Sequence, residues 1–262
     1  MASDRWFRAP LPRPAARARL VCFPFAGGAA SAFRDWAALL PDDVELIAVQ
    51  YPGRQDRAGE DLPPDLPALA DRLAAALRPL AGRSTAFLGH SMGAVVAFEV
   101  ARRLRPRFPA PLARLFVSAC AAPPALRPRG LRFEDGELRD YVRSMGGAGG
   151  EAVADDDLWQ LVRPVLAGDL RLMESYRYDP GAPLAVPITT LAGERDQYAP
   201  PASMRAWREL SLAPTDHHVL PGGHFHFEED LPAVVRVLAA GLGEPRSRTP
   251  EPSVVDGGRD AI

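Results

Sequence analysis

The chain has 262 residues, 47% hydrophobic and 24% charged, a balance that fits one globular α/β domain with a sizeable core. Its 31 basic residues are all arginine and nearly cancel 33 acidic ones, for a formal net charge of -2, which argues against a nucleic-acid or polyanion binder. The two cysteines, Cys22 and Cys120, lie in or beside apolar runs and read as small core residues rather than a disulfide or a nucleophile.

The opening "MASDRWFRAPLPRPAARAR" carries arginines but no apolar segment of a secretory signal. No uninterrupted apolar stretch spans a bilayer, so a cytoplasmic protein without membrane partners is expected. Residues 1–18 read as an N-terminal lead. "RLVCFPF" follows as a buried strand that ends at the turn residues "AGG". "FRDWAALL" reads as a helix, and "VELIAVQY" as a second buried strand stopped by Pro52 and Gly53. The leucines from Leu66 to Leu80 recur at helical spacing. "TAFLGH" is the next strand, and a helix runs from the turn after it to about Leu104. "ARLFVSAC" and "PITTLAG" are further strands, with helix-like pieces between them: "FEDGELRDYVRSM", "DDDLWQLVRPVLAGDL" and "RLMESYRY". A helix near "PPASMRAWREL", a short strand "DHHVLP" and a helix "LPAVVRVLAAGL" complete the domain.

Apolar strands alternating with amphipathic helices predict a mostly parallel sheet covered on both faces. The helical stretch at about residues 123–186 interrupts that rhythm and reads as a lid. Gly146 to Gly150 inside it are either a hinge or a surface loop. Residues 243–262 are rich in Pro, Gly and charge, without periodicity, and are expected to be a disordered tail. The domain itself is placed at 19–242.

Gly89-His90-Ser91-Met92-Gly93 fits the G-x-S-x-G nucleophile elbow, between an apolar strand and a helix. Side chains at the flanking glycines would collide with the neighbouring strand and helix, so the turn presents Ser91 clear of its strand. The Met92 N–H at the helix start points where negative charge would develop. A serine needs a base. His224 follows the turn "PGG" at the sheet edge and is the candidate, with His226 its rival; His90 lies in the elbow and reads as a packing residue. His217 and His218 lie in a strand, where neither reaches a loop tip. The base needs a carboxylate to hold its tautomer. Asp196 sits in the loop past "ITTLAG", with Glu194 nearer the strand end, and the chain order serine, acid, histidine is that of α/β-hydrolases. Gly-rich "CFPFAGG" offers Ala26 as a second backbone donor. No G-K-[ST] follows it, against a phosphate loop, and the histidines and cysteines lack metal-ligand spacing.

With these parts placed, the chain resembles the type II thioesterases that accompany polyketide and nonribosomal peptide synthases. The matching stretches are "LVCFPFAGGAASAFRDWAALLPDDVELIAVQYPGRQDR", "GHSMGAVVAFEVAR", "LRLMESYRY", "ITTLAGERDQYAPPASMRAWREL" and "VLPGGHFHF". The resemblance implies an α/β-hydrolase fold with a helical lid, a Ser91–His224–Asp196 triad, and backbone oxyanion donors at Ala26 and Met92. No cofactor and no metal are expected. The substrate would be an acyl thioester on the phosphopantetheine arm of an acyl or peptidyl carrier protein, cleared when stalled or misprimed. Phe25 stands where the family often has tyrosine and is a candidate substrate-binding residue, while His226 adds a titratable group; either could alter acyl preference. A monomer is expected. A medium-chain terminating thioesterase, a general carboxylesterase and a non-catalytic carrier-binding module are the alternatives.

Overall fold

A computed structural model of the chain describes residues 5–80, 83–104, 112–147 and 149–243; the expected tail, apart from its first residue, lies outside the described residues. Seven strands among them form one sheet: β1 (Phe7–Arg8), β2 (Ala18–Phe23), β3 (Val44–Val49), β4 (Ser84–His90), β5 (Arg114–Ser118), β6 (Ile188–Gly193) and β7 (Thr215–Leu220), in the spatial order β1-β3-β2-β4-β5-β6-β7. Every neighbouring pair is parallel except β1 with β3. The expected lead therefore contains an antiparallel edge strand, which pairs Phe7 with Val49.

The central strands are buried along nearly their whole length, and this explains their continuous apolar runs. Helices α2 (Leu66–Leu77) and α3 (Met92–Leu104) cover one face. The Asp65 carboxylate caps α2 by accepting the Ala68 N–H at 2.7 Å. The helix then buries Leu66, Leu69, Leu73 and Leu77 on a single stripe, each side chain stabilising the fold by about 2 kcal/mol. The other face packs on Phe33, on the single-turn α1 (Trp36–Leu39) and on α9 (Leu231–Gly243). Short helices α7 (Pro201–Met204) and α8 (His226–Glu229) follow β6 and β7. "FRDWAALL" is thus less regular than its pattern predicts, a 3-10 turn at Ala30–Phe33 followed by one turn of α-helix.

Between β5 and β6 the chain forms α4 (Asp135–Met145), α5 (Gly149–Ala154) and α6 (Asp156–Ser175), which share their own apolar cluster around Leu138, Trp159, Leu166 and Leu170. These helices form a cap. The two pieces read as separate helices before and after Leu170 are one, α6, which continues through Pro164. Among the described residues no helix is long and apolar enough to cross a membrane, and Cys22 and Cys120 are buried and free.

Candidate active site

The chain runs from β2 outward to β3 and then returns to β4 on the other side, so the gap between β2 and β4 is a reversal point of the sheet. Ligands bind outside the carboxyl ends of strands at such points. The loop after β2 carries Ala26, and the turn after β4 carries Ser91.

Ser91 has a φ of 53°, a left-handed conformation that a residue with a Cβ adopts only when its surroundings impose it. The surroundings are the two glycines. A Cβ on Gly93 would stand 2.0 Å from the Phe23 carbonyl oxygen, and one on Gly89 would stand 2.2 Å from the Gly93 carbonyl oxygen. Strand β2, strand β4 and helix α3 thus meet with no room for side chains at either position. The Ser91 N–H donates to the Ser118 carbonyl at 2.8 Å, and the Ser91 carbonyl accepts the Ala94 N–H at 3.0 Å. The backbone is pinned on both sides and the hydroxyl is left facing out.

His224, on the loop after β7, stands 3.1 Å from the Ser91 hydroxyl through Nε2 and 2.9 Å from Asp196 Oδ2 through Nδ1. Asp196 lies just past β6, and its other oxygen accepts the N–H groups of Tyr198 at 2.8 Å and Ala199 at 3.0 Å. Burial pushes the Asp196 carboxyl up. The hydrogen bond and charge of His224, with those two N–H groups, outweigh it and hold the carboxyl below its ordinary range. Both side chains are almost wholly enclosed, at 4% exposure for His224 and 0% for Asp196, while Ser91 remains partly exposed. Of the three elements that contribute, none is adjacent in sequence to another; the parallel sheet brings their carboxyl ends together.

The rival histidine is placed elsewhere. His226 is buried beneath the line of three, with Nε2 at 3.3 Å from the Ser118 hydroxyl, which also contacts His90 Nδ1 at 2.9 Å. His90 packs among Phe25, His224, Phe225 and Phe227, as a packing residue would. His217, on edge strand β7, pairs with Thr190 of β6 at 2.8 Å, and Glu194 pairs with exposed Arg195. Burial, then the charge of His224, hold the His226 imidazole down to about 4. An unfolded chain releases that restraint and takes up the proton near pH 6.5. The folded state therefore loses stability as pH falls from about 6.5 towards 4. His226→Leu is expected to reduce the Tm loss between pH 7 and pH 5 by about 5 °C. An unchanged slope of Tm against pH in the variant contradicts this assignment.

Two cavities meet at Ser91. One, of about 180 Å³, is walled by Phe25, Tyr141, Met145, Trp159, Leu166 and Phe225, and is apolar apart from its approach to Ser91, His224 and Glu228. The other, of about 80 Å³, runs past Met92, Cys120, Met173 and Tyr198 towards Arg127 and Arg129. Ala26, Ser91, Tyr141 and His224 border both. Four cap residues in these walls, Tyr141, Met145, Trp159 and Leu166, have no signature that sequence spacing could have singled out, since a cap helix uses the same apolar stripe to pack and to line a cavity. The glycine run at Gly146 ends α4, and Gly147 lies against Phe225 and Glu228. Tyr141 also packs edge-on to Tyr198, and the Ser144 hydroxyl contacts the Tyr198 hydroxyl, which ties α4 to the loop of Asp196. Among the described residues no cluster of His, Cys, Asp and Glu is arranged to hold a metal ion.

A largely parallel sheet with this cap, and with serine, acid and histidine at its carboxyl edge in that chain order, defines the α/β-hydrolase class. A family model described as "Thioesterase domain" matches residues 18–242. The chain belongs to the thioesterase family, as a type II thioesterase, and is a serine hydrolase of thioesters. It is 37% identical to thioesterase PikA5 of Streptomyces venezuelae, over 97% of this chain and 94% of that one. The structure of the type II thioesterase BorB from the borrelidin biosynthetic cluster superposes with a TM-score of 0.84 at 37% identity, covering 91% of this chain and 98% of BorB. The RedJ thioesterase from the prodiginine biosynthetic pathway in Streptomyces coelicolor gives a TM-score of 0.82 at 36% identity, over 88% and 87%.

Proposed function

We propose that this type II thioesterase removes stalled or misprimed acyl groups from the phosphopantetheine arms of carrier proteins in polyketide or nonribosomal peptide assembly, with Ser91 as nucleophile. The observation that carries the reading is the unbroken hydrogen-bonded line from Ser91 through His224 to Asp196 beside an apolar cavity under the cap. Asp196 fixes the Nδ1–H tautomer of His224 and stabilises the imidazolium that forms. His224 Nε2 takes the Ser91 proton as Oγ attacks the thioester carbon. The N–H groups of Ala26 and Met92 hold the oxyanion, and the Met92 donor gains from its place at the start of α3.

The carbon–sulfur bond then breaks, and the pantetheine sulfur leaves with the proton held by His224. Water enters, gives a proton to His224, and attacks the acyl ester. The second tetrahedral intermediate collapses, Ser91 Oγ recovers its proton, and the free acid departs. A thiolate is a good leaving group, so the site needs no strong acid beyond His224. Phe25 and the cap residues of the larger cavity receive the acyl group. The pantetheine arm approaches along the cavity that bears Arg127 and Arg129.

Hydrolysis of carrier-protein thioesters from acetyl to decanoyl tests the reading. Slow, broad activity that favours short chains is expected; a sharp optimum at long chains would indicate a chain-terminating enzyme instead. Carrier proteins of acidic surface would be recognised by arginines, so KM for the carrier substrate is expected to rise between 50 and 300 mM salt, while KM for a small uncharged thioester stays constant. A carrier KM independent of salt contradicts that part.

A further inference from the structure

Asp169 is a carboxylate on cap helix α6, and Arg54 lies in the turn after β3. Neither belongs to the line of Ser91, His224 and Asp196, yet they form an ion pair as deeply enclosed as His224 and Asp196, with side chains 1% and 3% exposed. The guanidinium grips the carboxylate with two parallel bonds, Nη1 to Oδ2 and Nη2 to Oδ1, each 2.7 Å. Burying two charges is unfavourable unless their remaining valences are filled. Here Arg54 Nε donates to the Pro52 carbonyl at 3.2 Å, and the other bonds go to the loop after β2. Asp169 Oδ2 accepts the Gly27 N–H at 2.8 Å, and Arg54 Nη1 donates to the Gly28 carbonyl at 2.8 Å.

The other supports of this loop come from beside Arg54. Gln50 accepts the Ala30 N–H at 2.8 Å, and the Tyr51 hydroxyl donates to the Pro24 carbonyl at 3.3 Å. Leu166, one turn before Asp169 on α6, packs against Gly27, whose φ is 78°. Ala26 lies between the points so held. Fixing the Gly27 N–H on Asp169 fixes the peptide that follows Ala26, and with it the direction in which the Ala26 N–H is presented to the cavity shared with Ser91.

We propose that Asp169 and Arg54 are positioning residues for the oxyanion site, a buried ion pair through which the cap helix sets the Ala26 donor. The oxyanion geometry is then complete only when α6 is seated on the loop. A donor aimed at charge that appears in the transition state contributes little to ground-state binding. Its misalignment therefore lowers kcat rather than raising KM. This inference rests on the proposed roles of Ser91 and Ala26.

The test uses the full chain, a small acyl thioester, an alkyl trifluoromethyl ketone that adds to Ser91 as a tetrahedral oxyanion, and an unreactive alkyl thioether of the same length. Asp169→Asn keeps the shape and one acceptor while removing the charge. It is expected to lower kcat about 30-fold with KM within about threefold. The inhibition constant of the ketone rises by a similar factor, and thioether binding stays within about threefold. Arg54→Lys, which retains one positive charge, shows the same pattern at about five- to tenfold. It also serves if Asp169→Asn does not fold, as judged by circular dichroism. Folded variants with unchanged kcat and ketone affinity would overturn the proposal. So would equal losses of ketone and thioether affinity, which mark a general collapse of the site. A Ser91→Ala control that still hydrolyses the thioester would instead overturn the assignment of the nucleophile.

Discussion

Loss of His224 is expected to be nearly as damaging as loss of the nucleophile itself. His224→Ala and Ser91→Ala should each lower kcat for thioester hydrolysis by about 10⁴- to 10⁶-fold, and the double variant should be no worse than either single one. The reason is geometric. His224 Nε2, 3.1 Å from the hydroxyl, is the single base within reach of Ser91 in the described site, and each residue is idle without the other. His226 cannot substitute, because its ring is engaged with Ser118 beneath the line of three. Steady-state hydrolysis of a small acyl thioester measures this. Multiplicative losses in the double variant would mean that the two side chains act independently.

The second large effect concerns folding. Gly93→Ala would press a methyl group against the Phe23 carbonyl oxygen at 2.0 Å, and the atom in the way is backbone of a central strand. Neither β2 nor α3 can yield without moving Ser91. Overpacking of this kind destabilises by about 3 kcal/mol or more, so Tm is expected to fall by about 10 °C. The shift of Ser91 by a fraction of an ångström should lower kcat by about 100-fold in whatever folds. Gly136→Ala is the comparison, since nothing lies within 4 Å of that position. It should leave both Tm and activity close to those of the wild type. Equal Tm values for Gly93→Ala and the wild type would contradict the close approach.

What the sequence reveals follows from which interactions have a local signature. Strands β2 to β6 are buried on both faces, so their positions appear as uninterrupted apolar runs. The elbow is visible because its steric demand falls on two glycines only four residues apart. Asp196 and His224 are legible because parallel strands put every carboxyl end on one edge, so a polar residue just past a strand is already near the others. Edge strand β1 escapes the same reading: two residues, one of them Arg8, have no period to detect. The segment from Ala30 to Leu39 has Phe33 and Trp36 at a helical interval, yet both side chains turn into the core, and so short a stretch forms only single turns.

The cap is the least legible part. Helix α6 runs unbroken through Pro164 because packing around Trp159, Leu166 and Leu170 outweighs the local cost of proline. The Arg54–Asp169 pair joins residues far apart in sequence through one buried contact, and no spacing rule could pair them, although Arg54 lies in a stretch that carries the resemblance to type II thioesterases and Asp169 immediately precedes another.

The most direct test of the account is the mass of the enzyme itself during turnover. Rapid mixing with a propionyl carrier protein, acid quench and intact mass spectrometry should show a propionyl adduct, which digestion places on the peptide containing Ser91. The adduct should be absent from Ser91→Ala, together with turnover. Hydrolysis that proceeds undiminished in Ser91→Ala, or an adduct on any other residue, would contradict the central claim.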